Sequence, residues 1–208
     1  MSGVQMNKKL NGLLIFFLGI TATGLAQNIT PLGIGTNAPE TERVIVDTSG
    51  LNTTLSDVAD NNGLLVIFSC NTCPWVAKWE DQYNQLSSLA AQNDIGMIAL
   101  NPNERIRNRG ESINDMRRRA QKQGYNFTYA LDKDHIIADA FGATRTPEVF
   151  LFDGNLQLVY HGAVDDHADS RTDVNIEYLK EALLAIAAGK DIEITETEIH
   201  GCTIKRTK

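Results

Sequence analysis

Only three cysteines occur in the 208 residues, Cys70, Cys73 and Cys202, and their scarcity removes whole classes of chemistry. No second C-x-x-C and no histidine pair stands near the first, so four tetrahedral zinc ligands cannot be assembled and no metal is expected. His135, His161, His167 and His200 are scattered and read as surface or satisfied side chains. Positive charge is also short: 19 Lys and Arg against 26 Asp and Glu leave a net charge of −7, which argues against a nucleic-acid partner. The acidic stretch Asp165 to Asp169 lacks the glycine and spacing of a calcium loop. There is no internal repeat and no low-complexity block. The apolar run Leu13 to Ile20 is short for a membrane span, which needs roughly 20 residues.

That run does fit another pattern. Lys8 and Lys9 precede it, and Gly24 and Ala26 bracket Leu25 after it, the charge, apolar core and small-x-small order of a secretory signal. We expect a signal peptide over residues 1–26, cut between Ala26 and Gln27, with an uncleaved membrane anchor as the alternative. Residues 27–208 then form one domain with a C-terminal tail, and no stable membrane insertion is expected after cleavage. Loss of Lys8 and Lys9 takes the net charge from −7 to −9. The expected address is periplasmic or secreted, where disulfides persist.

With 42% hydrophobic and 22% charged residues, the mature chain can bury a full core. Residues 27–43 read as an arm. Val44–Val46 and Thr53–Leu55 flank a turn-prone stretch and predict a small hairpin. Leu64 to Phe68 is continuously apolar, as in a strand buried on both faces. Val76, Trp79, Tyr83, Leu86 and Ala90 recur at helical spacing, with Lys78, Asp81, Gln82 and Gln85 opposite. Ile95 to Leu100 predicts a second buried strand, and Ile113, Met116 and Ala120 a helix whose arginines, Arg117 to Arg119, point mostly outward. Asp134 is expected to cap a short helix ending at Phe141, with Gly142 as its left-handed stop. Val149–Phe152, the turn Asp153-Gly154-Asn155 and Leu156–Tyr160 predict a hairpin. Asp173 is expected to cap a last helix through Leu179 and Leu183. This alternation implies a mostly parallel central sheet with antiparallel strands added at one side.

Cys70-Asn71-Thr72-Cys73-Pro74 falls at the junction between a buried strand and a helix. Two thiols at C-x-x-C spacing can close a disulfide, and a helix start favours a thiolate. A loop closed over two residues adds little stability by chain entropy, so a purely structural disulfide is a weak reason for the spacing. Pro74 costs nothing in a first helical turn, where its missing N–H would have no partner. Cys70 is expected to be the exposed, acidic, attacking thiol and Cys73 the shielded resolver.

With these residues in hand, the chain resembles the thioredoxin-like superfamily, and within it the C-x-x-C-P branch of the AhpC/TSA (redoxin) group. The matching features run from about Gly35 to the C-terminus: Leu64 to Cys73, the helix from Trp75 to Leu86, Gly142-Ala143-Thr144-Arg145-Thr146-Pro147 before a strand, the turn from Gly162 to Asp166, and Gly201-Cys202-Thr203-Ile204-Lys205. The resemblance implies an α/β thioredoxin-like fold, a central mixed β-sheet flanked by helices. It also implies a cis Pro147 against the C-x-x-C, with the Thr146 backbone free to pair with an extended substrate. Cys202 is a candidate third redox thiol; the bland alternative is an inert one. The expected activity is thiol–disulfide oxidoreduction through Cys70 and Cys73 on protein thiol or disulfide partners, with no bound cofactor. The alternatives are a thiol-dependent peroxidase and a non-catalytic binding module. The sequence departs from the family at three points: Ser69 stands where thioredoxins carry Trp, Val76 where related exported oxidoreductases carry an acid, and the P-x-x-x-T/S-x-x-C of peroxiredoxins is missing.

Overall fold

The computed structural model describes residues 29–207, together with Met1 and Gly3; otherwise the expected signal segment lies outside the described residues. In chain order the elements are β1 (Ile45–Asp47), β2 (Asn52–Thr53), α1 (Leu55–Val58), β3 (Gly63–Phe68), α2 (Pro74–Trp79), α3 (Tyr83–Gln92), β4 (Ile95–Asn101), α4 (Ile113–Gln123), β5 (Thr128–Leu131), α5 (Ile136–Phe141), β6 (Arg145–Thr146), β7 (Glu148–Asp153), β8 (Leu158–Gly162), α6 (Tyr178–Ala187) and β9 (Cys202–Thr203).

The sheet is mixed. β4 and β5 pair in parallel, β1 pairs antiparallel with both β2 and β5, and β7 lies antiparallel between β3 and β8. β3 runs alongside β4 in the same direction, because Asn62 N–H reaches Asp94 O at one end (2.8 Å) and Ser69 N–H reaches Leu100 O at the other (2.8 Å). Antiparallel strands therefore occur at both sides of the parallel centre, where the sequence pattern placed them at one side only.

Every residue of β3 is buried, as its unbroken apolar run requires. Successive side chains point to opposite faces. Leu65 and Ile67 join Val76, Trp79, Tyr83, Leu86 and Leu183 on the side of α2, α3 and α6. Leu64, Val66 and Phe68 join Leu55, Ile137, Phe141, Phe150 and Phe152 on the side of α1 and α5. The second side is an aromatic nest in which the Phe141 ring meets Phe68, Phe150 and Phe152 edge-on at 5.3–5.5 Å. Edge-to-face contacts add roughly 0.5–1.5 kcal/mol each to the area buried.

Several local expectations need correction. The helical run after Cys73 is interrupted by one tight turn at Glu80–Gln82, and Gln82 is buried, because its amide donates to the buried Asp165 carboxylate (2.8 Å). Arg119 does not point outward; it pairs with the buried Glu80, which also accepts from Tyr125 and Gln123. Asp134 caps nothing and lies at φ 56; Asp132 caps α5, accepting from Ile137 N–H (3.0 Å) and Ala138 N–H (2.8 Å). Asp173 sits in a separate turn, and α6 starts at Tyr178 without a side-chain cap. Gly142 does stop α5 in the left-handed region (φ 68). No other residue fits there, since a Cβ would lie 2.0 Å from Thr30 O. The N-terminal arm is fastened at the same place by Leu32 N–H to Phe141 O (3.0 Å).

Removing the central ring of the aromatic nest should be costly. Phe141→Ala is expected to destabilise the protein by about 3–5 kcal/mol in denaturant titration, and a loss under 1 kcal/mol would show that the nest relaxes to fill the space.

Candidate active site

The C-x-x-C begins where β3 ends and runs into α2, with Cys73 as the residue preceding the first helical turn and Pro74 in it. A single carboxylate holds the two intervening residues. Glu111, fully buried just before α4, accepts from Asn71 N–H (2.9 Å), Thr72 N–H (3.0 Å), the Thr72 hydroxyl (2.6 Å) and the Asn101 amide (2.6 Å). Asn71 is fixed further by the Tyr129 hydroxyl, which donates to its side-chain oxygen (2.9 Å). A buried carboxylate is tolerated when its lone pairs are filled in this way. Nothing in the sequence marked Glu111. It lies in an arginine-rich stretch, Arg105 to Arg119, and Arg107 in that stretch is also drawn inward, to Asn101 and to the Glu111 carbonyl (2.9 Å each).

The second wall is the loop before β7. The Thr146–Pro147 peptide is cis, as the resemblance implied. Glu148, fully buried, pins this loop by accepting from Thr144 N–H and Arg145 N–H (2.8 Å each) while its other oxygen meets His161 Nε2 (2.9 Å). Thr146 touches both sulfurs of the motif: its hydroxyl lies 3.2 Å from Cys70 Sγ, and its carbonyl lies 3.2 Å from Cys73 Sγ.

The Thr146 backbone is not free. β9 pairs antiparallel with β6, placing Cys202 opposite Thr146 and Thr203 opposite Arg145. The chain's own tail therefore takes the edge that was expected to stay open for a substrate strand. Cys202 forms a disulfide with Cys73, their Cα atoms 6.2 Å apart, and Cys70 is left as a thiol. Sequence reasoning singled out Cys202 only as a candidate third redox thiol; the structure joins it to Cys73.

Cys70 also differs from expectation in its surroundings. It is 2% exposed, less than Cys73 at 6%. Burial, reinforced by the nearby Glu111 charge, pushes its thiol up to about 12, although the Thr146 hydroxyl and the N–H groups of Cys73 and Thr72 favour the thiolate. The helix-start effect loses here because Cys70 precedes the helix by several residues and is walled off from water.

The three sulfurs thus meet at one cis-proline corner in a thioredoxin-like sheet. The sequence model of the Redoxin family matches residues 34–178. The chain belongs to the Redoxin family. It is similar to a hypothetical protein from Sinorhizobium meliloti 1021, with 32% identity, 86% of this chain and 97% of that chain covered, and a TM-score of 0.78. An uncharacterized conserved protein from Geobacillus kaustophilus is similar at 28% identity, with coverages of 84% and 93% and a TM-score of 0.76. Peroxiredoxin Q of Xanthomonas campestris shares the fold at 17% identity, with coverages of 77% and 98% and a TM-score of 0.54. No curated protein sequence matches the chain. Membership of the family and the convergence of sulfurs give this redoxin a thiol-based redox function.

The state of Cys70 can be read directly. Iodoacetamide added to unreduced protein should label Cys70 slowly at neutral pH, with the rate climbing about tenfold per pH unit and still rising beyond 9.0, the ordinary thiol value. The sign follows from the raised value: the neutral thiol dominates until the solution is strongly basic. A rate that levels off near neutrality would contradict the burial described.

Proposed function

We propose that this redoxin is an exported thiol–disulfide oxidoreductase that works through Cys70 and Cys73, with Thr146 and Pro147 forming the wall of the reacting site. The observation that carries this reading is the placement of Cys73, which can share a disulfide with Cys70 by its C-x-x-C spacing and does share one with Cys202. A sulfur that belongs to two disulfides is suited to exchange, in which one thiolate displaces another at a central sulfur. Export is supported by the basic, apolar and small-residue order of residues 1–26, and an oxidising compartment would maintain the disulfide.

A second reading, a thiol-dependent peroxidase, is favoured by one feature: Cys70 is nearly sealed, and a small oxidant reaches such a thiol more easily than a protein does. The binding-module alternative fits poorly, because the edge such a module would offer to a peptide is already paired with β9.

Turnover of a disulfide-bonded peptide by a dithiol should be measurable, and Cys73→Ser should reduce it by at least about 100-fold, since both internal disulfides need that sulfur. Hydrogen peroxide consumption by the reduced protein, with no disulfide turnover, would establish the peroxidase reading instead. N-terminal sequencing of the mature protein should begin at Gln27; retention of Lys8 and Lys9 would count against cleavage.

A further inference from the structure

We infer that Cys202 is a catalytic sulfur and the point at which a partner dithiol enters, with Cys73 the inner sulfur that it releases. This rests on the exchange chemistry proposed above and assigns its outward end to the tail instead of to Cys70.

Three observations carry it. The first is access. Of the three cysteines, Cys70 and Cys73 are buried and Cys202 is only half-buried, so an attacking partner meets Cys202 first. The second is anchorage that does not depend on sulfur. β9 pairs with β6, Ile204 N–H donates to Thr144 O (2.9 Å), the Arg145 guanidinium donates to Gly201 O (2.9 Å), and Lys205 N–H donates to the Asn103 side chain (2.8 Å). Ile204 is itself 3% exposed within the core. Breaking the disulfide therefore leaves Cys202 beside Cys73, as a recurring reaction requires. The third is the fit of the tail to that wall. Gly201 is the residue that lets it approach, because a Cβ there would lie 2.7 Å from Thr146 O.

The step balances as follows. A partner thiolate attacks Cys202 Sγ, forming a partner–Cys202 disulfide and breaking Cys73–Cys202. Cys73 leaves as a thiolate and takes up the proton that the partner thiol gave to solvent. The partner's second thiol then attacks its own sulfur, leaving the partner oxidised to a disulfide and Cys202 as a thiol. Two electrons and two protons have passed to this chain. The reverse sequence reduces a partner disulfide to a dithiol and re-forms Cys73–Cys202.

The test locates the adduct. Reduced full-length Cys73→Ser protein is exposed to glutathione disulfide, acid-quenched and mapped by peptide mass spectrometry. In parallel, the oxidised wild-type protein is pulsed with reduced glutathione and quenched in acid, which keeps the test independent of how the variant folds. Glutathione should occupy Cys202 about tenfold more than Cys70 in the variant, where the protein thiolate attacks glutathione disulfide and releases glutathione. It should occupy Cys202 more than Cys73 in the wild type, where glutathione attacks the protein disulfide, since either exchange needs access to the protein sulfur. An adduct mainly on Cys70 or Cys73 would overturn the assignment and leave disulfide exchange standing. No adduct on any cysteine would overturn both.

Discussion

Thr146 is the constraint around which the rest of the site is arranged. Its hydroxyl meets Cys70, its carbonyl meets Cys73, and its backbone pairs with the strand that carries Cys202. One residue thereby sets the relative positions of three sulfurs from two distant parts of the sequence. Its own position is not left to the loop, because Glu148 gathers the two preceding N–H groups and is backed in turn by His161. A wall of this kind must be stiff, since thiol exchange depends on near-linear approach of sulfur to sulfur and loses rate quickly when reacting atoms drift.

The opposite wall is built on a similar plan with a different residue. Glu111 collects the N–H groups of Asn71 and Thr72 just as Glu148 collects those of Thr144 and Arg145. Both carboxylates are buried, and each accepts from two backbone N–H groups and from at least one side chain. They differ in consequence: Glu111 stands near enough to Cys70 for its charge to oppose formation of the thiolate. The loop is thus ordered by a group that also quiets the thiol at its start, which suits a sulfur kept in reserve while its neighbour carries the disulfide.

Periodicity and turn chemistry made the sheet and most helices legible: the unbroken run of β3, the α2–α3 face from Val76 to Ala90, the hairpin of β7 and β8, and Gly142 all stand where the sequence put them. The C-x-x-C at the end of β3, the cis proline and the interest of Cys202 were also legible, through motif spacing and family resemblance. What was not legible depends on contacts between distant segments. Asp132 outcompeted Asp134 as a cap because the chain turns left-handed at Asp134 and His135. The exposure expected of Cys70 failed because a helix-start rule describes local backbone, whereas its burial is produced by loops far away in sequence. β9 escaped notice because two residues have no measurable period, and only the register with β6 defines them. Glu111 and Glu148 look like any other surface acids until the backbone they serve is folded around them.

Both ends of the described domain are tied to one short stretch. Leu32 is fastened to Phe141, Thr30 crowds Gly142, Ile204 bonds Thr144 and Cys202 pairs with Thr146. Among the described residues, no backbone hydrogen bond joins β3 or β4 to either end. Tension applied to the two ends would load the Phe141–Thr146 segment and, through the Cys73–Cys202 disulfide, the start of α2 before it reached the interior of β3 or β4. The sulfur corner is therefore the mechanical fuse of the molecule: pulling would disturb its redox geometry while the sheet behind it was still intact.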